Sequence, residues 1–296
     1  MADFFSTKDS KLVLPTEYAQ TVFAKARETS VVGRLATASP LTLGGTTLPI
    51  YNGEVNMGVV AEGARKPVEK PEAALKTITP MKMASIVVVS DEMVRADPGQ
   101  MFEAIQADMS DAVGRALDAL VLYGADARTG NKIPGQTSVL DSAKAVALAG
   151  GDYKSAVLAG FDLVGENYDV NGIAADSRTK GKLLATVNEV QFGLPNLAAQ
   201  DFTVAGVPAA FGRSVGRVGK TDQDTRLVIG DWSKIRYGFA TGVEITRSNE
   251  ATIVDESGEV VSLFQNNLVA LRIETFIGAT VLNSDAFAVV KDSAEG

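Results

Sequence analysis

Near its end the chain carries the segment Phe264-Gln265-Asn266-Asn267-Leu268-Val269-Ala270-Leu271-Arg272-Ile273-Glu274, and a mostly hydrophobic sequence continues from there to Val290. Polar amides therefore lead directly into an apolar stretch, for which the pattern predicts a strand from Val260 to Val281. Other parts of the structure must cover such a strand, because burying apolar surface is favourable. The segment also contains two candidate chemical groups, the amide of Asn267 and the carboxylate of Glu274.

Asn267 and Glu274 are separated by an odd number of positions. Side chains alternate between the two faces of a strand, so a continuous strand would place this pair on opposite faces. The two residues could then serve one site within one copy of the chain only if a bulge intervened. Two alternatives remain open: both are ordinary strand residues, or they meet partners on different subunits.

The composition of the chain excludes much of ordinary enzyme chemistry. Its 296 residues include no cysteine and no histidine, and 46% of them are hydrophobic. Disulfides, thiolate nucleophiles, cysteine-based zinc sites and imidazole bases are therefore ruled out. Serine or lysine chemistry, paired carboxylates and oxygen-ligated Mg²⁺ or Ca²⁺ remain. The length suffices for about two domains.

The charge balance argues against a nucleic-acid-binding protein. The net charge is −8 and the sequence pI is about 4.8, whereas tight binding to phosphates needs clustered lysine and arginine. The first residues lack the pattern of a secretory signal, and apolar runs such as Ile86 to Val89 are strand-sized. We expect a protein made in the cytosol, with no membrane partner.

Residues 1–90 predict an arm followed by a hairpin. An amphipathic helix from Pro15 or Thr16 to about Thr29 would be either a short core helix or a docking arm. From residue 44 to 90, strand-like sequence leads to a tip rich in Gly, Pro and charge and then returns. A two-stranded ribbon is marginal in water on its own. We therefore expect this hairpin to lie on a surface that neighbouring sequence does not supply.

The strongest helix prediction begins at Asp97-Pro98-Gly99-Gln100, with a capping Asp and Pro at the first helical position. It ends at Tyr123-Gly124. Apolar residues recur between these limits at steps of three and four, namely Met101, Phe102, Ile105, Met109, Val113, Ala116, Leu117, Leu120 and Val121. Core packing accounts for this stripe.

The second half of the chain is typical of an α/β unit followed by strands. Helices are predicted near Ser142 to Ala149, Lys154 to Glu166 and Ser177 to Thr186. Strands are predicted at Gly172 to Ala175, Phe202 to Pro208, Arg226 to Ile229, Arg236 to Ala240 and Val243 to Thr246, besides the strand that begins at Val260.

Two further motifs are interpreted without a ligand. Ser214 to Thr221 partly matches a phosphate-binding loop but lacks its first glycine and the helix that should follow, so we predict a flexible surface loop. Two acidic groups lack the spacing of a calcium loop and are interpreted as solvated turns; they are Asp222, Asp224 and Asp231, and Asp255, Glu256 and Glu259. No cofactor and no metal are predicted.

Taken in order, these parts resemble the major capsid proteins of tailed bacteriophages with the HK97-type fold, over nearly the whole chain. The resemblance depends on the order and spacing of several segments, none of them specific alone. They are Val60 to Pro67 at the hairpin tip, Ser90-Asp91-Glu92, Asp118-Ala119-Leu120 with Tyr123-Gly124, Gly172-Ile173 leading to Leu183-Leu184, and Phe264 to Phe287.

The resemblance implies an α+β fold with four parts. Residues 1–43 would be an N-terminal arm and residues 44–90 an extended β-hairpin loop that reaches over an adjacent subunit. A peripheral domain would comprise residues 91–137 and 235–280, with a spine helix over about 98–123. An axial α/β domain would comprise residues 138–234 and 281–296.

The implied function is structural, not enzymatic. Copies would assemble as pentamers and hexamers into an icosahedral shell around double-stranded DNA, forming the virion capsid in the host cytoplasm. A portal and decoration proteins are implied partners. Because the chain begins with Met1 shortly before the arm, we expect scaffolding to come from a separate protein.

Some shells that this chain resembles are locked by an isopeptide bond between a hairpin lysine and a strand asparagine of another subunit, assisted by a glutamate. The matching positions are Lys66, Asn267 and Glu274. An attacking lysine must be neutral, which an apolar pocket would favour, and the glutamate would take up the proton. The alternative is that Lys66 is a solvated charge, Asn267 a strand amide and Glu274 a partner of Arg272 or of another subunit.

Two other functions remain open from sequence. An encapsulin-like compartment shell shares the implied fold but encloses enzymes. An unrelated α+β hydrolase using serine or carboxylate residues is disfavoured, because no nucleophile elbow is visible and histidine is absent.

Overall fold

The computed structural model describes residues 29–51, 59–60, 62–63, 65–66, 68, 73–92, 98–187, 202–204, 206–241, 244–254 and 258–292. Its longest helix matches the sequence prediction. The α-helices in the described residues are α1 (Val31–Leu35), α2 (Pro98–Tyr123), α3 (Tyr153–Gly165) and α4 (Lys180–Val187). None of the described helices is long and apolar enough to cross a membrane. Residues 15–28 of the helix predicted to end at about Thr29, and the Asp97 cap of α2, lie outside the described residues.

Seventeen strands are described. Those of the first half are β1 (Thr37–Ala38), β2 (Thr46–Tyr51), β3 (Ala73–Ile78), β4 (Met81–Ser90), β5 (Lys144–Leu148) and β6 (Gly172–Asp176). Those of the second half are β7 (Phe202–Val204), β8 (Val207–Gly212), β9 (Arg217–Val218), β10 (Thr221–Asp222), β11 (Thr225–Gly230), β12 (Ile235–Phe239), β13 (Glu244–Ser248), β14 (Thr252–Val254), β15 (Val260–Ser262), β16 (Leu268–Val281) and β17 (Phe287–Asp292).

The strands form two main sheets and three two-stranded ribbons. A six-stranded sheet has the order β5-β17-β11-β6-β8-β7, and a five-stranded sheet has the order β1-β12-β16-β13 with β4 also paired to β16. The ribbons are β2-β3, β14-β15 and β9-β10. Both sheets therefore depend on the segment quoted first, because it supplies β16 and is followed directly by β17.

One hydrophobic core joins the two sheets to α2. Buried side chains of α2, such as Leu117 and Leu120, share a cluster with Ile273 and Ile277 of β16 and with Phe287 of β17. Trp232 is fully buried in this core and contacts Phe287 edge to face, with ring centroids 5.6 Å apart. A second cluster lies between the other face of the six-stranded sheet and α3. The apolar stripe predicted for the long helix is therefore core packing where its side chains are described.

The hairpin predicted over residues 44–90 is divided in two. The ribbon β2-β3 ends at Ile78, and β4 pairs with β16 over its whole length, from Ser90 opposite Leu268 to Met81 opposite Ile277. Thr79-Pro80 separates β3 from β4, and Pro80 has no N–H group with which to continue a ladder. Residues 81–90 therefore pair with a strand of the same chain that is distant in sequence, so β16 supplies part of the surface that neighbouring sequence does not.

Three local predictions are also wrong. Residues 144–148, predicted as helix, form β5, because Lys144-Ala-Val-Ala-Leu alternates and pairs in parallel with β17. The strand predicted over Val260 to Val281 is interrupted by a turn at residues 263–267. Ser214 to Thr221 is not a flexible surface loop, since Ser214, Val215 and Val218 are buried.

Candidate cross-linking site and exposed surfaces

Lys66 lies in the segment between β2 and β3. It is exposed, as are Glu62, Arg65 and Val68. Within the described part of the chain, no hydrogen bond or ion pair engages the Lys66 ammonium. Its side chain is therefore accessible to another molecule.

Asn267 ends the turn that precedes β16. Its φ is 50°, the left-handed conformation that glycine and asparagine tolerate best. The Leu268 N–H donates to the Leu263 carbonyl at 2.9 Å, and the Asn267 N–H donates to the Phe264 carbonyl at 3.5 Å. These two bonds form a Schellman motif, which closes a single helical turn. Backbone geometry alone therefore favours asparagine at position 267.

Glu274 lies in the middle of β16 and is held by two basic side chains. The Lys82 Nζ is 2.9 Å from Glu274 Oε1, and the Arg272 Nε is 3.5 Å from the same oxygen. The hydrogen bond from Lys82, aided by the charge of Arg272, lowers the pKa of Glu274. In a single copy of the chain, Glu274 is therefore an ionised partner of Lys82, and its lowered pKa makes it a weaker base than an ordinary glutamate.

The structure does not bring the three sequence-predicted residues together. No hydrogen bond or ion pair joins Lys66, Asn267 and Glu274 in the described part of the chain. Because Asn267 precedes β16, its side-chain direction is set by the turn and not by strand alternation. Asn267 and Glu274 do not share one continuous strand, so the odd spacing does not determine whether their side chains lie on opposite faces.

The five-stranded sheet has one covered and one open face. Residues of the covered face, including Met81, Met83, Leu271, Ile273 and Ile277, belong to the core beside α2. The opposite surface, here called the outer face, is formed by Lys82, Ala84, Ile86 and Val88 of β4, Arg272 and Glu274 of β16, and Glu244 and Thr246 of β13. Ile86 is 51% exposed and Val88 is 38% exposed. The outer face thus combines apolar side chains with the Lys82-Glu274-Arg272 ion pairs.

Large apolar side chains are also exposed on the ribbons. Leu75 of β3 is 75% exposed, and Val254 and Val260, which lie opposite each other in β14-β15, are both 67% exposed. Phe264 in the turn before β16 is 75% exposed. Apolar surface of this kind marks interaction sites when it forms contiguous patches.

A buried carboxylate, whose structural role the sequence analysis did not predict, joins three parts of the chain. Asp118 of α2 is 1% exposed and accepts hydrogen bonds from Ser30 Oγ at 2.6 Å, Val31 N–H at 3.1 Å and Val32 N–H at 2.9 Å. The Ser214 hydroxyl also donates to it. Burial, which outweighs these hydrogen bonds, raises the pKa of Asp118. The contacts fix α1 and the Ser214 turn to the long helix.

Sequence reasoning also missed Lys82 and the role of Asp118. A lone carboxylate inside the apolar run Leu117-Asp118-Ala119-Leu120 was an available signal, because buried acids are rare unless hydrogen bonded. No signal linked Lys82 to Glu274, since the two residues meet only through the long-range pairing of β4 with β16.

The described residues of the two acidic groups considered for calcium have other interaction partners. Asp222 lies near Arg178 and Arg217, Asp224 near Lys291, and Asp231 accepts a hydrogen bond from Asn171. Asp255 and Glu256 lie outside the described residues. Among the residues with a described structure, no group of three or more acidic side chains could hold a metal ion.

Comparison with known proteins gives a consistent result. The chain matches the family described as "Phage capsid family" over residues 11–292. It is 28% identical to a "Probable major capsid protein gp17" of Mycobacterium phage D29, over 96% of this chain and 91% of that protein. It is 20% identical to the "Major capsid protein" of Staphylococcus phage 80alpha, over 95% of this chain and 85% of that protein.

Solved structures show the same fold. A chain from Gordonia phage Cozz superposes with a TM-score of 0.72 at 23% identity, covering 100% of this chain and 91% of that chain. A chain from Mycobacterium phage Ogopogo gives a TM-score of 0.71 at 25% identity, covering 90% of this chain and 92% of that chain. The predicted α+β fold of the HK97 type is confirmed.

Proposed function

The chain belongs to the phage capsid family, and on that premise we propose that it is the major capsid protein of a tailed bacteriophage. Identical copies assemble into an icosahedral shell, the capsid of the virion. The role is structural. The observation that carries the proposal is the family match across residues 11–292, together with major capsid proteins as full-length relatives.

The exposed surfaces support an assembling subunit. The outer face leaves Ile86 and Val88 accessible, and the ribbon β2-β3 presents Leu75 to solvent. A two-stranded ribbon gains stability when it packs on another surface. The proposed arrangement, in which residues 44–80 of one copy lie on a neighbouring copy, covers such surfaces in the shell. Within the proposed four-part division, β4 joins the peripheral sheet instead of the hairpin.

The proposed partners follow from the function. Copies group as pentamers and hexamers, a separate scaffolding protein guides assembly in the host cytoplasm, and a portal and decoration proteins complete the head. The shell encloses double-stranded DNA. A net charge of −8 suits a container that must hold packed DNA without binding it tightly.

Electron microscopy of the expressed chain, alone and with co-expressed neighbouring phage proteins, tests the proposal. The expected result is closed particles tens of nanometres across. Particles purified from infected cells should in addition contain DNA that is protected from nuclease. A monomer that persists under every condition contradicts the proposal. Uniform closed shells from this chain alone would contradict the need for a separate scaffold.

The compartment-shell alternative is distinguished by particle contents. Particles that hold a protein cargo and no DNA would favour it over a virion. The relatives named above are phage capsid proteins, which supports the virion.

We further propose, as a hypothesis on the same subunit, that shells are locked by a bond from Lys66 to Asn267. The neutral Lys66 Nζ attacks Asn267 Cγ, a C–N bond forms, and the Asn267 amide nitrogen leaves as ammonia after receiving the proton that Lys66 loses. The exposure of both residues supports access from another copy. Autocatalytic formation of this one bond is the only chemical reaction that we propose for the chain.

The contacts of Glu274 set a condition for this hypothesis. Glu274 becomes a stronger proton acceptor when the docking neighbour displaces Lys82 or buries the carboxylate, because its present contacts lower its pKa. We therefore expect the cross-link to form in the assembled shell and not in the free subunit.

Denaturing electrophoresis of intact particles tests the cross-link. A ladder of multimers that disappears in Lys66→Ala and in Asn267→Ala supports it, and Lys70→Ala, which removes another lysine of the same segment, serves as the control. A single band near 31.0 kDa from mature particles contradicts the cross-link while leaving the capsid function untouched.

A further inference from the structure

The ribbon β2-β3 is fixed to the body at its base. Ile78, the last residue of β3, is fully buried. A Cβ added at Gly278 of β16 would lie only 2.7 Å from Ile78 Cγ2. The absence of a side chain at Gly278 therefore makes room for Ile78. Leu41 and the Thr79 carbonyl approach the same glycine. This contact forms a pivot at one end of the ribbon.

Beyond the pivot, one ribbon side chain reaches back to the sheets. The Lys76 Nζ donates to the Val281 carbonyl and, at 3.3 Å, to the Leu282 carbonyl, at the end of β16. Among the described ribbon residues, no other side chain hydrogen bonds to either main sheet. The facing side chains Thr47 and Thr77 bond only to each other, at 3.0 Å.

The Lys76 contact differs from an ordinary surface ion pair. No carboxylate accompanies it among the described residues, and the ammonium is held by two carbonyl oxygens. Carbonyl acceptors at a strand end have fixed positions, whereas a carboxylate on a flexible side chain would follow the lysine. The Lys76 hydrogen bonds therefore fix the direction in which the ribbon extends from the body, in addition to attracting the ribbon to it.

From these contacts we propose that Lys76 is a positioning residue that sets the angle at which the ribbon leaves the body. Ile78, packed against Gly278, is the pivot. The hydrogen bonds from Lys76 to the Val281 and Leu282 carbonyls, here called the latch, hold the ribbon at one angle around it. The significance of this angle for assembly depends on the proposed function, because it determines where the far end of the ribbon meets a neighbouring copy. The latch itself is a property of the single subunit.

The geometry magnifies small changes in angle. Ala73 to Ile78 spans about 17 Å at roughly 3.3 Å per residue. A tilt of about 20° around Ile78 would therefore displace the far end of the ribbon by about 6 Å. Loss of the latch should appear as a shift or a broadening of distances measured from the body to the tip.

The chain has no native cysteine, so distances can be measured with two introduced labels. Spin labels at Val68→Cys on the exposed tip and Asp108→Cys on the exposed surface of α2 report the ribbon angle by pulsed electron paramagnetic resonance in the full-length, spin-diluted subunit. Lys76→Met removes the donor but keeps the aliphatic stem, and Lys76→Arg keeps a donor. Lys291→Met, which removes a half-exposed strand lysine paired with Asp224, is the matched control.

The expected result is one narrow distance distribution for the wild type, Lys76→Arg and Lys291→Met, and a mean shifted by about 5 Å or a width at least doubled for Lys76→Met. An unchanged distribution in Lys76→Met overturns the proposal. If Lys76→Met does not fold, Lys76→Gln, which cannot span to both carbonyls, replaces it under the same criteria. A changed distribution with normal shells would leave the latch standing and would contradict the role proposed for the hairpin in assembly.

Discussion

Strands β6 and β4 show how differently the two main sheets are completed. Every residue of β6 is buried, because one face of its sheet packs on the core around α2 and the other on α3. Along β4, side chains of one face join the core while Ile86 and Val88 of the other remain exposed. At β6, both faces of the six-stranded sheet are thus covered within one copy. The five-stranded sheet keeps a face that a second copy can cover.

The largest expected effect comes from the buried cluster that supports both sheets. Asp118→Ala leaves two hydroxyls and two backbone N–H groups buried without their acceptor, so we expect a loss of at least about 3 kcal/mol in the free energy of unfolding. Urea denaturation of the free subunit measures it. Asp108→Ala, exposed on the same helix, should change stability by less than about 0.5 kcal/mol. Equal effects at the two positions would contradict the cluster.

The two faces of the five-stranded sheet should respond oppositely to truncation. Ile273→Ala removes a core side chain and should cost about 2–5 kcal/mol, whereas Ile86→Ala on the outer face should cost less than about 1 kcal/mol. Shell formation should show the reverse selectivity: Ile86→Ser should impair assembly although the subunit remains folded. Normal assembly of Ile86→Ser would mean that the outer face stays uncovered.

Substitution at the junction between the body and the ribbon should have an intermediate effect on the free energy of unfolding. In Gly278→Ala the added Cβ would lie 2.7 Å from Ile78 and 2.8 Å from Leu41, and 3.0 Å from the Thr79 carbonyl, so we expect a loss of about 1–3 kcal/mol. Gly181→Ala in α4 has no atom within 4 Å of the new Cβ and should be neutral or stabilising. Thermal unfolding of both variants provides the comparison.

The turn before β16 should tolerate glycine but not a branched residue. Asn267→Gly keeps the left-handed conformation available and should change stability by a few tenths of a kcal/mol, whereas Asn267→Val should cost about 1–2 kcal/mol. Asn267→Gly also removes any cross-linking amide with little effect on the fold. It therefore separates the structural role of Asn267 from the chemical one, by denaturation and electrophoresis of the same preparation.

The smallest effect is expected at Glu274, on the open face. Glu274→Gln should cost about 0.2–1 kcal/mol at neutral pH, because the Lys82 partner is 53% exposed. The folded state lowers the pKa of Glu274, so this stabilisation is present above the unfolded value of about 4.3 and is lost as pH falls through the folded value. Denaturation at a series of pH values from neutral downward should show the difference in stability between variant and wild type shrinking in acid.

Most of the fold could be predicted from local sequence, and the failures have physical causes. The helix Pro98–Tyr123 follows from its Pro start and apolar stripe, and the buried strand Gly172–Asp176 from a short apolar run. Local sequence predicts a helix for the alanine-rich residues 144–148, because only the pairing with β17 reveals that they form a strand. The turn at 263–267 was hidden because its Leu and Phe resemble strand residues. Strand partners far apart in sequence, such as β4 and β16, leave no local trace.

The candidate site was less predictable than the fold. Lys66, Asn267 and Glu274 are candidates only through the resemblance, and their roles are proposals. The structure adds that Glu274 is held by Lys82 and that Asn267 satisfies a backbone requirement. Side-chain partners of this kind depend on sheet register, which alternating hydrophobicity alone does not determine when the strands are distant.

Residues 268–292 also determine when the chain can fold during synthesis. β16 lies between β4 and the pair β12 and β13, and β17 lies between β5 and β11, so each sheet lacks an interior strand until this region has left the ribosome. The partner of Met81 is Ile277, far along the chain, and such distant pairing makes folding slow. A nascent or truncated chain therefore presents unpaired strand edges to chaperones and proteases. Only a subunit translated through this region has both sheets complete when it assembles with other copies.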